Sequence, residues 1–367
     1  MAHTQAIVSQ FHGLLAKPYG TPALSFGSAA AIGNDTTPFI DVYAWNALGF
    51  GSRFSNPASL PPGRIFGLVF SPNADTLLCA NSLAPFCSAY HWSIAGFGTK
   101  YADPATPPAG DSAAIALRAT PTEYQVALVF SPVNGMGVWH FTTAGGWGTK
   151  FADPATALPG LGVDIKYNSP VAANQNLGIG HGGGVFISAY PWSDAGFGTK
   201  WTDPISSDVA GGTGIRFGHA GNAVYMSHNF SSGACVIGYR WNDATGFGTE
   251  YTNASIPGGF IANGIDTSVT DNAVIVSQSS DGTYDKYIAW EIVSGGGFGT
   301  RYTALTFGGL SVQQSAINPA MNVVLGTRSG ATKMQALNWT DGDGWGTAYS
   351  NPGTLPVGLT FSAAFAP

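Results

Sequence analysis

Residues 96–106 read GFGTKYADPAT, and the first four of them recur along the chain. The tetrapeptide Gly-aromatic-Gly-Thr/Ser appears as GFGS, GFGT, GWGT, GFGT, GFGT, GFGT and GWGT, starting at Gly49, Gly96, Gly146, Gly196, Gly246, Gly297 and Gly344. Successive copies lie 47, 50, 50, 50, 51 and 47 residues apart. A period near 50 suits four-stranded propeller blades and is too long for leucine-rich or hexapeptide solenoids. Upstream of the motif, one unit holds IFGLVFSP at 65–72, DTLLCANS at 75–82 and CSAYHWS at 87–93. These are three short apolar strands, and the residues after the motif begin a fourth. The motif's glycines supply the positive φ that the third-to-fourth hairpin needs. Asp103-Pro104 then ends the fourth strand, because Asp bonds the following backbone and Pro cannot donate to a ladder. The same punctuation at Asn56-Pro57, Asp153-Pro154, Asp203-Pro204 and Asn351-Pro352 makes these polar residues structural.

Seven such units predict an all-β fold, a seven-bladed β-propeller of four-stranded blades. The chain ends suggest how the ring closes. LPVGLTFSAAFAP at 355–367 matches the start of a unit, LPPGRIFGLVFSP at 60–72, and then stops. The first hairpin, SAAAIGNDTTPFIDVYAWN at 28–46, lacks an innermost strand before it. Residues 359–364 are therefore expected to complete the first blade and remove a free edge. The propeller is placed at 24–367, with an N-terminal arm at 1–23. Phe11, Leu14, Leu15 and Tyr19 in that arm are candidate partner-binding residues, either against the ring itself or against another subunit.

Composition agrees with a packed β-protein. With 51 Gly and 23 Pro, about one residue in five disfavours long helices, while 44% hydrophobic residues can fill a core. A net charge of −6 with no run of Lys or Arg speaks against nucleic acid as a partner. No stretch has the pattern of a signal peptide or a membrane-spanning helix, so a soluble product without membrane insertion is expected. Cys79, Cys87 and Cys235 lack metal-ligand spacing. Cys79 and Cys87 flank a hairpin turn and read as thiols unless geometry and an oxidising setting allow a cross-strand disulfide.

Chemistry-bearing patterns are sparse. The three glutamates, Glu123, Glu250 and Glu291, stand at different positions in their units, and the seven histidines form no HExxH pair. Neither a metal nor a cofactor is implied, and no catalytic residue is assigned. GHGGG at 180–184 and GGTG at 211–214 read as turns leading into strands, since no helix follows either. Aligning the units gives two candidate ligand-binding sets. Asn34, Asn81, Ser131, His181, His228, Gln278 and Thr327 fall near the ends of the second strands as a polar collar on one rim. Such groups either bond the neighbouring backbone or form a shallow binding surface. On the innermost strands Asp164, Arg216 and Asp266 are placed at one register, where the other units carry Val69, Ala116, Gln313 and Thr360. These three form either a structural inter-blade ion pair or a site for an anion or cation in the central channel. Trp45, Trp92, Trp192, Trp241, Trp290 and Trp339 recur at the third-strand end and read as blade-to-blade packing.

The FSPN turn at 70–73, the Tyr-x-Trp pairs at Tyr90/Trp92 and Tyr190/Trp192, and GFGTKYADPAT together resemble the WD40-like or YVTN-like propeller repeats of tailed-phage proteins. The resemblance covers the chain after about residue 24. It implies a non-enzymatic virion protein, a capsid decoration or tail-fibre module, with other virion proteins or a host-surface glycan as partners and the virion as its location. A free carbohydrate-binding lectin using the collar is the second expectation. A glycosidase or lyase comes last, because paired carboxylates are not evident.

Overall fold

A computed structural model of the chain describes residues 29–131, 135–169, 175–183, 186–205, 211–218, 221–228, 234–252, 254–255, 261–268, 272–279, 285–293, 295–307, 310–318, 322–329, 333–340 and 342–367. The arm, with Phe11, Leu14, Leu15 and Tyr19, lies outside the described residues, as does Gly184. The strands form seven antiparallel sheets, one per blade, each running from an inner strand at the axis to an outer strand at the circumference. Blade 2 is representative, with inner strand Ile65–Phe70, second strand Thr76–Asn81, third strand Cys87–Ser93 and outer strand Gly96–Lys100. The inner strands of blades 3 to 7 are Ser112–Ala119, Gly162–Tyr167, Gly212–Phe217, Ile261–Thr267 and Leu310–Asn318. Blades 5 and 6 add a short fifth strand, Ala254–Ser255 and Leu305–Phe307, that pairs with the third.

Blade 1 closes as the two chain ends imply. Thr360–Phe365 is its inner strand and pairs antiparallel with Ala29–Asn34, with Ala30 opposite Phe365 and Ala31 opposite Ala364. Two further bonds fasten the seam: Asp35 N–H donates to the Leu359 carbonyl at 3.1 Å, and Leu359 N–H donates to Asp35 Oδ1 at 2.8 Å.

The repeated tetrapeptide has a two-fold cause. Its first glycine takes positive φ, +102° at Gly49, +99° at Gly96, +75° at Gly146 and +104° at Gly196, to turn the third strand into the outer one. The same glycine receives an aromatic ring from just beyond the outer strand of the preceding blade. A Cβ at Gly96 would stand 2.9 Å from Phe54, at Gly146 2.9 Å from Tyr101, at Gly246 2.8 Å from Trp201 and at Gly344 2.8 Å from Tyr302. The series closes on itself, since a Cβ at Gly49 would stand 2.8 Å from Tyr349 of the last blade. Blade 6 shifts the device by one residue: there Gly296, φ +93°, sits on Tyr251.

The motif's own aromatic packs edge-on against the third-strand Trp, as in Trp45–Phe50 at 4.7 Å, Trp92–Phe97 at 5.1 Å and Trp192–Phe197 at 4.7 Å. The Trp ring also meets the preceding blade's aromatic, Phe54–Trp92 at 5.1 Å and Phe151–Trp192 at 5.0 Å. Blade-to-blade packing is thus the role of these tryptophans. Lys100, Lys150 and Lys200 on the outer strands pair with Asp103, Asp153 and Asp203 three residues on. Cys79 and Cys87 are free and buried, and burial pushes both thiols well above the ordinary cysteine range.

Replacing Gly49 by Ala should strain the turn and push Tyr349 from the seam between the last blade and the first. A loss of about 2 kcal/mol in urea unfolding is expected. Gly353→Ala, whose Cβ meets nothing within 4 Å, should change stability little.

Candidate functional site

The inner strands line the central channel, and their pairing with the second strands fixes which residues share a level. Lys166 lies opposite Gly178, Arg216 opposite Tyr225 and Asp266 opposite Ile275, at equivalent positions of blades 4, 5 and 6. The same level holds Val69, Ala116, Ile317 and Ala364 in the other four blades. The expected trio is therefore corrected. Asp164 stands two residues before that level, and Lys166 occupies it; Ala364, not Thr360, represents blade 1, and the side chain of Gln313 lies outside those described. The repeat length carried the signal, because Lys166, Arg216 and Asp266 are 50 residues apart while Asp164 is 52 from Arg216.

Asp164 belongs to a second level, occupied by Gly67, Ala114, Gly214, Gly264 and Ser362 elsewhere. The next blade presses on this level: a Cβ at Gly67 would stand 3.1 Å from the Ile115 backbone nitrogen. In blade 4 the carboxylate exploits that proximity. Asp164 Oδ2 accepts from Ile215 N–H of blade 5 at 3.0 Å and from Arg216 Nη1 at 3.2 Å. Its Oδ1 accepts from Ile165 N–H and from Lys166 Nζ, each at 2.9 Å. Burial opposes ionisation of Asp164, but Lys166, Arg216 and these hydrogen bonds outweigh it and hold the carboxyl below the usual range. Burial dominates at Lys166 and lowers its ammonium below the ordinary lysine value, although Asp164 counters it. At Arg216 the two carboxylates more than offset burial, so the guanidinium stays charged.

Asp266 differs from Asp164 in what it leaves open. Its Oδ1 accepts from Arg216 Nε at 2.9 Å and from Thr267 N–H at 3.0 Å, while Oδ2 has no partner among the described residues. The four charged groups border a cavity of about 300 Å³ whose remaining wall includes Val69, Ala116, Ile317 and Ala364. Arg216, Asp266 and Lys166 keep 20%, 15% and 26% of their side-chain surface exposed, against 8% for Asp164, so three of the four can meet a solute.

The polar collar is not a surface. Asn34, Asn81, His181, His228, Gln278 and Thr327 are all buried, each beside a bulge in the inner strand. Pairing puts Phe130, not Ser131, at the collar level of blade 3; Ser131 lies beyond the strand and bonds the Asp111 carbonyl. Several collar side chains bond the residue seven positions on, at the start of the third strand: Asn34 to Asp41 at 2.8 Å, Asn81 to Ser88 at 3.2 Å and His181 to Ser188 at 3.0 Å. These links tie hairpins together inside the blade. Ser188 in turn donates to Asp203 Oδ1 at 3.0 Å, so His181 must carry its proton on Nε2 to bond the serine. The serine proton points at the carboxylate and not at the imidazole, which is the wrong order for a nucleophile.

Among the described residues, no three His, Cys, Asp or Glu side chains are grouped to hold a metal ion, and no helix is long and apolar enough to cross a membrane. No protein-family model and no curated protein sequence matches the chain. Solved structures do. A candidate 6-phosphogluconolactonase of Bacteroides uniformis superposes with TM-score 0.69 at 14% identity, covering 93% of this chain and 100% of that one. The periplasmic gluconolactonase of Pseudomonas aeruginosa gives 0.60 at 14%, covering 93% and 99%. The β-propeller domain of Cps50 from Myceliophteria thermophila gives 0.58 at 11%, covering 86% and 98%. The chain is a seven-bladed propeller with WD40-like neighbours. The expectation of a non-enzymatic virion component is overturned by these likenesses, because two of the three propellers are lactonases by name and none is a phage particle protein.

Burial pushes the His181 imidazole down to about 4, with Asp203 only partly countering it. The unfolded chain takes up a proton near pH 6.5 that the folded protein refuses, so this contribution is complete above pH 6.5 and is lost as pH falls toward 4. Urea unfolding should lose about 2 to 3 kcal/mol across that window. His181→Asn, which installs the residue found at this level in blades 1 and 2, should remove that component of the pH dependence.

Proposed function

We propose that the protein is a hydrolase of a sugar-acid lactone and that the channel cavity is its active site. The observation that carries this reading is the contrast between two carboxylates on one arginine. Asp164 accepts four donors and is a fixed counter-ion, whereas Asp266 keeps one oxygen open at the cavity. An open carboxylate for a water proton, beside two cations for a developing oxyanion, is an arrangement that can serve ester hydrolysis. The volume is at the lower end of small-molecule sites, which run from about 300 to 1,000 Å³. The gluconolactonase named among the similar folds supports the substrate class.

In this mechanism Asp266 Oδ2 removes a proton from water as the water oxygen bonds to the lactone carbonyl carbon. Arg216 and Lys166 hold the negative charge that grows on the carbonyl oxygen. The ring C–O bond then breaks, Asp266 returns its proton to the departing oxygen, and the product is an open-chain hydroxy acid. Asp164 takes no proton and keeps both cations in place.

Hydrolysis of glucono-δ-lactone and its 6-phosphate, followed by base uptake at constant pH, tests the reading. Asp266→Asn should lower the enzymatic rate by about 10² to 10⁴ while the far-ultraviolet circular dichroism is unchanged. A wild-type protein no faster than spontaneous ring opening on both lactones, or an Asp266→Asn variant of undiminished rate, would sink it.

A further inference from the structure

A second cavity, of about 350 Å³, opens at the far end of the blades from the collar, between blades 4 and 5. Its walls include Trp192, Trp201 and Pro191, with Asn176 and Asp243 as polar members. Both indole N–H groups are already committed to the protein: Trp192 Nε1 donates to Gln125 Oε1 and Trp201 Nε1 to Asn176 Oδ1, each at 2.7 Å. Trp192 is buried and forms the floor, while half-buried Trp201 offers a solute apolar ring surface.

Asp243 is positioned with care and left unneutralised. Its Oδ1 accepts from Asn168 Nδ2 at 2.7 Å, from Asn176 Nδ2 at 3.0 Å and from Trp241 Nε1 at 2.7 Å. All three donors are neutral. Its Oδ2 has no partner, and no Lys, Arg or His forms an ion pair with it, among the described residues. Three hydrogen bonds on one oxygen hold the exposed carboxylate still, and no cationic side chain among the described residues shields it.

The repeat explains why the cavity exists in this blade. In blades 2 and 3 the residue at the level of Pro191 is a histidine stacked on the outer-strand aromatic, His91 on Tyr101 and His140 on Phe151, each pair with ring centroids 3.9 Å apart. Pro191 is smaller and does not cover Trp201 in that way.

We infer that this cavity binds an organic ammonium ion carrying an apolar body, with the ammonium against Asp243 and the body against Trp201 and Pro191. Charge and aromatic surface together favour a cation over a neutral molecule of the same shape.

Calorimetric titration of the full chain with phenethylammonium chloride, and with 2-phenylethanol as its neutral counterpart, tests the inference. The ammonium should bind at least about tenfold more tightly than the alcohol. Asp243→Asn, which keeps the Oδ1 acceptor, should remove that preference. Pro191→His should abolish binding at an unchanged melting temperature, by placing over Trp201 the ring that blades 2 and 3 already use. The inference falls if the wild type shows no saturable binding, if the alcohol binds as well as the ammonium, or if either variant binds like the wild type.

Discussion

The ring depends on one contact made repeatedly, the aromatic side chain just beyond one blade's outer strand laid on the turn glycine of the next blade. Three demands meet at that glycine. The backbone turns there with positive φ, the side chain must be absent for the incoming ring, and the following aromatic must reach the third-strand Trp. Glycine alone satisfies the first two at little cost. Because the ring on Gly49 is Tyr349, the contact also joins the last blade to the first, and the backbone seam at Asp35 and Leu359 reinforces it. A closed ring leaves no blade without a neighbour on either side, and the sheet edges that remain are the short outer strands.

Legibility in the sequence followed the strength of the repeat. The seven glycine motifs, the Asp-Pro stops and the closing strand, expected at 359–364 and found at Thr360–Phe365, are legible because the turns and stops that frame them permit few residues. The channel level was harder, because an axis-facing position tolerates Val, Ala, Ile, Lys, Arg and Asp alike. Charge alone groups Asp164 with Arg216 and Asp266, whereas the 50-residue spacing and the strand pairing put it two residues before their level. Lys166 carries no motif of its own and reads as an ordinary strand lysine, although its 50-residue spacing from Arg216 marks the level. Ser131 likewise matches the collar in polarity, but the register puts Phe130 at that level.

The collar shows why polar residues at one level need not form a site. Asn34, Asn81 and His181 sit where the inner strand bulges away, which leaves room for a side chain but removes a backbone partner. A buried polar group in such a gap costs stability unless it is bonded, and the start of the third strand supplies the bond. Asn and His serve alike at this level because Asp41, Ser88 or Ser188, seven residues later, meets either, and no ligand is required to explain them.

Blade 4 is where the repeat gives way to chemistry. It alone places Asp at a level that is Gly, Ala or Ser in the neighbouring blades whose pairing defines it, and Pro where blades 2 and 3 place His. The first exchange works because the crowding that favours a small residue at Gly67 also brings Ile215 N–H within reach of a carboxylate. Once bonded there, Asp164 supplies negative charge below the channel level without occupying it. Arg216 can then stay charged in a low-dielectric wall and still share a second carboxylate whose outer oxygen is free. Without Asp164, Lys166 and Arg216 would oppose one another across adjacent blades, and Asp266 would be drawn wholly into neutralising them. The counter-ion between the blades is what leaves Asp266 available at the cavity.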